Sequence, residues 1–218
     1  MSDSYKKSGF YENLNFPVIE FVDNNSKVLD VGCNTGRLGG YLIKNKNCAV
    51  FGIDIFPEAI ERAKTVLTGA KVMDLEKDAF PFVDETFDVI IFADVLEHLY
   101  NPLSVLNALK FRLKPGGYII TSIPNIAFIV IRFKLLFGKW NYKKIGIMDD
   151  THIRFFTYKT MTGLFQKAGL RMDSKKCVSG VFLKENVFDK LLNNIFKCLC
   201  KIFPKLFATQ FIFKLMAE

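Results

Sequence analysis

Lys27–Gly36, K-V-L-D-V-G-C-N-T-G, decides how this chain is read. Val28, Leu29 and Val31 make a buried strand that runs into a glycine-bearing turn, and a helix starts near Arg37. Backbone N–H groups at such a turn and at the helix N-terminus meet a polar or anionic ligand at little steric cost. A second apolar run, A-V-F-G-I (49–53), ends on Asp54. An acid in that place is suited to accepting hydrogen bonds from ribose hydroxyls. The stretch therefore predicts a nucleotide-like cofactor.

Outward from it, strands alternate with helices. Strands are expected at 27–31, 49–53, about 70–73, 87–92 and 117–122, with helices at about 37–46, 57–67 and 102–112. A short amphipathic helix containing Pro17 is expected over 11–23. This rhythm implies a doubly wound, mostly parallel α/β sheet covered on both faces. Ligands on such sheets lie beyond the strand carboxyl ends, where Gly32, Asp54, Asp74 and Asp94 all fall. After Pro124 the rhythm breaks. Residues 126–137 are nearly all apolar, and the segment that follows carries the only Trp and one of the two histidines. A helix near 158–168 and a strand near 171–179 come next. An amphipathic helix over 185–203 is closed by Pro204 and followed by a strand at 206–215. The chain reads as one domain, 1–218, with insertions at about 125–157 and 184–204.

Composition narrows the function classes. The net charge of +8 allows an anionic substrate or an acidic membrane surface. The basic residues form no block, however, so no nucleic-acid partner is expected. Cys33, Cys48, Cys177, Cys198 and Cys200 lack CxxC spacing and neighbouring histidines, so no metal site is expected from them. The odd cysteine count, the lack of a secretory h-region and the lack of a spanning apolar run predict a soluble cytoplasmic protein. The basic edges of the two apolar insertions (Arg132, Lys134, Lys139, Lys190, Lys197, Lys201) also fit peripheral docking on anionic lipid, while core, lid or homodimer surface remain alternatives.

Taken together, the motifs resemble those of class I S-adenosylmethionine-dependent methyltransferases. V-L-D-V-G-C-N-T-G is similar to the family's first motif, G-I-D-I to its second and Asp74-Leu75 to the position near the adenine. F-D-V-I-I-F-A-D-V-L-E-H-L resembles the fourth-strand motif and L-K-P-G-G-Y-I-I-T-S-I-P-N the fifth. The resemblance implies a seven-stranded Rossmann-like sheet with an antiparallel last strand, and S-adenosyl-L-methionine as cofactor. It implies that Asp30, Gly32, Cys33, Asn34 and Gly36 hold the methionine part, that Asp54 and Ile55 meet the ribose side, and that Asp74, Leu75, Phe92 and Ala93 line the adenine or methionine pocket. Asn34 stands where the family usually has glycine, and Asn is the side chain that best tolerates a left-handed backbone. The segment D-D-T-H-I-R-F-F-T is similar to a bacterial branch often encoded beside polysaccharide-assembly enzymes. That likeness implies O-methylation of a sugar, nucleotide-sugar or lipid-linked glycan hydroxyl, with methyl transfer to another small molecule or a non-catalytic module as alternatives.

Candidate catalytic residues are few. His152 can activate a hydroxyl, and Arg154 can hold a phosphate or carboxylate. His98, beside Asp94 and Glu97, can serve instead. Each also has a structural reading: His152 bonded to a backbone carbonyl, His98 as a helix cap, Phe92 as core. A nicotinamide-dependent oxidoreductase would need G-x-G-x-x-G, which the chain does not contain.

Overall fold

The computed structural model describes residues 14–179 and 187–217. In chain order the elements are α1 (Phe16–Ile19), β1 (Lys27–Val31), α2 (Arg37–Lys46), β2 (Ala49–Asp54), α3 (Pro57–Ala63), β3 (Gly69–Val72) and β4 (Phe87–Ala93). They continue with α4 (Pro102–Lys110), β5 (Leu113–Pro124), α5 (Ile129–Leu136), α6 (Tyr158–Lys167), β6 (Leu170–Val178), α7 (Val187–Ile202), α8 (Pro204–Phe207) and β7 (Gln210–Ala217). A 3-10 turn, Leu96–His98, stands between β4 and α4.

The seven strands form one sheet in the order β3-β2-β1-β4-β5-β7-β6. The first five are parallel, and β7 runs antiparallel to both β5 and β6. Strand order reverses between β1 and β4, so their carboxyl ends open the crevice in which such sheets bind ligands. The period-two alternation of apolar side chains supplies two core layers. On β4, Ile90 and Phe92 face one layer while Val89 and Ile91 face the other. Phe87, Phe92, Phe165, Phe211 and Phe213 are wholly buried. Each such ring contributes about 1.5–3 kcal/mol by leaving water. Part of the phenylalanine richness thus goes into the two core layers that cover the sheet.

Several boundaries differ from the sequence reading, for local reasons. The N-terminal helix covers only Phe16–Ile19, where Asn15 accepts from the Val18 N–H at 3.4 Å and Pro17 sits in the first turn; residues 11–13 lie outside the described ones. Pro204 does more than end a helix. It opens the short α8, and so the last strand begins at Gln210 instead of 206. Of the expected 185–203 helix, Val187–Ile202 is helical, while 185–186 and the side chains of Val187, Phe188, Lys190, Leu191 and Leu192 lie outside the described residues. Among the described residues no helix is long and apolar enough to cross a membrane.

The 125–157 region packs around its own small cluster of Phe128, Ile131 and Met148. It is tied to α8 and the approach to β7 by Asn125, which is fully buried. The Asn125 Nδ2 donates to the carbonyls of Ala208 (2.9 Å) and Lys205 (3.3 Å), and its Oδ1 accepts from the Ala127 N–H at 3.1 Å. Removing that amide leaves buried backbone groups without partners. Asn125→Ala is therefore expected to lower unfolding free energy by about 2–3 kcal/mol, read from the urea midpoint, whereas substitution of the exposed Lys159 should leave the midpoint in place.

Candidate active site

The turn after β1 is built from residues with left-handed backbones: Gly32 (φ 71°), Asn34 (φ 49°) and Gly36 (φ 81°). Asn34 adopts the conformation that its short amide side chain tolerates, so the departure from glycine leaves the turn intact. At Gly32 a Cβ would lie 2.7 Å from Val95 Cγ2, so any other residue there must displace Val95 as well as adopt a left-handed backbone.

The N–H groups of this turn do not face outward as its sequence suggested. Those of Gly32 and Cys33 donate to the Ile53 carbonyl (2.8 and 3.1 Å), and that of Gly36 to the Cys33 carbonyl (2.9 Å). That of Asn34 donates to Asp54 Oδ2 at 2.8 Å. Four donors are spent inside the fold, which disfavours a phosphate at the turn. Two acids stand there instead. Asp30 is 2% exposed, and its Oδ2 has no hydrogen-bond partner. Burial, with the Asp54 charge in support, pushes its carboxyl up to about 7. Asp54, half-buried at the end of β2, is also raised by burial, against the N–H groups of Phe56, Asn34 and Ile55. An orphaned buried carboxylate oxygen beside a second acid calls for a cationic or hydroxyl-rich ligand. The α-ammonium and ribose of S-adenosylmethionine have that chemistry, so the residues fit the group.

The other expected contacts divide. Ile55 is an apolar side chain 51% exposed, next to Asp54. Ala93 is half-buried at the end of β4, and Leu75 packs at the core edge. Phe92 is corrected: it is wholly enclosed in the core layer and lines no pocket, because it falls on the inward phase of β4. The Cys33 side chain itself turns inward: its Sγ would sit 2.5 Å from any Cβ at Gly52, so it fills the gap that glycine leaves, and burial raises its thiol well above the usual range. Asp74 caps a turn: its Oδ1 accepts from the Glu76 N–H (3.0 Å) and its Oδ2 pairs with Lys77 (2.8 Å), which holds its carboxyl below the usual range. Asp78 in turn accepts from the Asp74 N–H at 2.8 Å.

Across the crevice, the 3-10 turn after β4 meets the 147–154 segment. The N–H groups of Ile153 and Arg154 donate to the Glu97 carbonyl at 3.0 and 2.9 Å. His98 and His152, far apart in sequence, stand ring to ring at 4.8 Å between centroids. His98 Nδ1 lies 3.1 Å from the Thr151 carbonyl and His152 Nδ1 3.2 Å from that of Ile147. Burial lowers both imidazoles, and His98 lowers His152 further, so both are neutral near pH 7. The Glu97 side chain, missed as a site residue, is the centre of this cluster. It is 1% exposed, neither carboxylate oxygen has a hydrogen-bond partner, and His152 Nε2 is 3.9 Å away. A charged residue inside the apolar run V-L-E-H-L was the available signal. Arg154 departs from the anion-fork expectation. Its Nε donates to the carbonyls of Leu99 (3.2 Å) and Tyr100 (2.9 Å) and its Nη2 to Tyr100, which clamps the turn behind Glu97. Asp94, at φ 56°, accepts from Ser122 Oγ at 3.2 Å and from Gln210 Nε2, and burial lifts it to about 6.

A Rossmann-like sheet with acids at the ends of β1 and β2 and a donor-poor glycine turn defines the S-adenosylmethionine-dependent methyltransferase class. The profile of the family described as "Methyltransferase domain" matches residues 12–175, and the chain belongs to that family. It is 35% identical to the ubiquinone biosynthesis O-methyltransferase of Aliivibrio fischeri over 104 residues, 45% of this chain and 44% of that protein. It is 28% identical to the protein of the same name from Shewanella halifaxensis over 169 residues, covering 72% of this chain and 71% of that one. The match thus spans less than half the length of the first of these relatives. An S-adenosylmethionine-dependent methyltransferase from Methanosarcina mazei shares the fold, with TM-score 0.63, 19% identity, and coverage of 94% of this chain and 100% of that one. A possible histamine N-methyltransferase from Thermotoga maritima does so at TM-score 0.64 and 18% identity, covering 93% of this chain and 86% of that one.

Two measurements check the cofactor half of the site. Asp54→Ala should weaken S-adenosylhomocysteine by about tenfold or more in calorimetric titration. Asp30 keeps a proton in the folded state, up to about pH 7, that the unfolded chain loses near pH 4, so the ligand-free protein loses stability as pH rises through that window. Asp30→Asn removes that loss. Its denaturation midpoint should exceed the parent's by more at about pH 8 than at about pH 5, and equal gains at both would place the carboxyl's titration elsewhere.

Proposed function

We propose that this chain transfers the methyl group of S-adenosylmethionine to a hydroxyl oxygen of an acceptor held against residues 125–157. The supporting observation is the donor-poor turn with the buried Asp30 and the half-buried Asp54 at one end of the sheet, faced by the Glu97–His98–His152 cluster. Bound S-adenosylmethionine supplies a methyl carbon made electrophilic by its sulfonium. Asp30 holds the ammonium, and Asp54 accepts from the ribose while keeping the turn closed through Asn34. Ile55 and Ala93 give apolar surface at the strand ends, and Asp74 and Leu75 flank the adenine. Fixing donor and acceptor in line is the main contribution to rate. The buried cluster engages the hydroxyl and handles its proton.

A hydroxyl acceptor is favoured by the relatives named O-methyltransferases. Within that class we favour a hydroxyl on a sugar carried by a phosphate-bearing nucleotide or lipid. The support is the likeness of D-D-T-H-I-R-F-F-T to the polysaccharide-associated branch, together with a hollow of about 110 Å³ lined by Lys134, Lys139, Asn141 and Lys143 over Ile131 and Met148. An aromatic hydroxyl is the second reading, supported by the same relatives' names. Release of S-adenosylhomocysteine in the presence of nucleotide-sugars, lipid-linked sugars or catechols tests the two. His152→Ala should leave S-adenosylhomocysteine affinity within about threefold and slow turnover by about tenfold or more.

We also propose that α5 and its flank rest on anionic lipid. Phe133, Leu135, Leu136 and Phe137 are exposed, two of them by more than 70%, and Arg132, Lys134 and Lys139 lie among them. The protein should sediment with vesicles containing phosphatidylglycerol and little with phosphatidylcholine alone, and Leu136→Asp with Phe137→Asp should abolish the difference.

A further inference from the structure

We propose that Glu97, His98 and His152 bind a divalent first-row transition ion. One candidate ligand atom from each residue lies within 4.8 Å of the other two. Two imidazoles and one carboxylate form the donor set that suits manganese, iron, cobalt or zinc better than magnesium or calcium.

Three independent features of the cluster favour a cation. First, the Glu97 side chain is almost completely enclosed, yet neither oxygen is hydrogen-bonded, and the nearest imidazole nitrogen, 3.9 Å away, is beyond hydrogen-bond reach. A buried carboxyl without a partner is costly in either protonation state, because the neutral form still needs an acceptor for its O–H. An ion at this point meets that need directly.

Second, both imidazoles are oriented as metal ligands are. Each has Nδ1 against a backbone carbonyl, Thr151 for His98 and Ile147 for His152, which makes Nδ1 the N–H and leaves the Nε2 lone pair to bind. A carbonyl accepting from the far ring nitrogen is the usual outer contact of a ligating histidine. The turn carrying these carbonyls is itself braced, since Asp149 Oδ1 accepts from the Thr151 N–H (2.9 Å) and Oγ1 (2.6 Å).

Third, among the described residues no lysine or arginine pairs with Glu97, Asp94 or Asp149. Atoms sharing an ion at about 2.0–2.2 Å stand roughly 3–3.5 Å apart, so binding draws the 147–153 segment toward the 3-10 turn by about an ångström. Three protein ligands leave positions free for water or for oxygens of an acceptor. The ion's existence is independent of the methyl-transfer reading, and only its role in holding an acceptor hydroxyl rests on that reading.

Protein stripped with a chelator and dialysed against Co²⁺, Zn²⁺ or Mn²⁺ decides the matter. We expect one ion per chain, visible d–d absorption with Co²⁺, and affinity reduced by about tenfold or more in Glu97→Gln, His152→Asn and His98→Asn. S-adenosylhomocysteine affinity of the same samples should stay within about threefold, which also shows that each variant is folded. Absence of stoichiometric uptake of all three ions, or parental affinity in the variants, overturns the site. Normal ion uptake without S-adenosylhomocysteine binding would leave the site standing and remove the cofactor reading instead.

Discussion

The hydrogen bond from the Asn34 N–H to Asp54 Oδ2, 2.8 Å, is the constraint on which the ligand end of this sheet depends. It ties the turn after β1 to the last residue of β2, while Oδ1 of the same carboxylate accepts from the Phe56 N–H at the entrance to α3. A carboxylate has room for further hydrogen bonds beside these two. Asp54 therefore organises the loop before any ligand arrives and still offers acceptor capacity to one. The left-handed backbones of Gly32, Asn34 and Gly36 follow from this tie, since the chain must double back within a few residues to present the Asn34 N–H to β2.

The second organising fact is electrostatic. Asp30, Asp54, Asp94 and Glu97 all sit near the carboxyl ends of β1, β2 and β4, and burial raises all four. A fold stabilised chiefly by two apolar layers accepts this penalty only where something else gains, and perturbed acids in a crevice are the usual mark of a functional site. The acids also divide the crevice by chemistry. Asp30 and Asp54 flank a turn whose N–H groups are consumed, which suits a cationic, hydroxyl-bearing ligand. Glu97 faces His152 and the 147–154 segment, where a second ligand would be met, while Asp94 is held by Ser122 and Gln210.

Much of the architecture was legible in the chain itself. Alternating apolar runs and Gly or Pro stops marked the five parallel strands, and Asp54 was readable as the last residue of the second. The misreadings have particular causes. Phe92 was assigned to a pocket because it ends a strand, yet the period-two phase of β4 turns it into the core beside Ile90. The turn's N–H groups read as ligand donors because sequence does not reveal that Ile53 and Asp54 accept from them. Arg154 read as an anion fork, while its guanidinium closes on the carbonyls of Leu99 and Tyr100, residues far away in the chain.

By itself the sequence determined the family, the run of strands and helices around the parallel sheet and the glycine turn after β1, because these rest on local periodicity, turn chemistry and spacing along one chain. Only the tertiary structure decided that Glu97 is buried without a partner, that His98 and His152 meet ring to ring, and that the loop carbonyls leave both Nε2 atoms free. Those facts arise where the 3-10 turn after β4 packs against the 147–154 segment. A contact between segments that distant is set by how the whole sheet and its insertion close, and no local pattern encodes it.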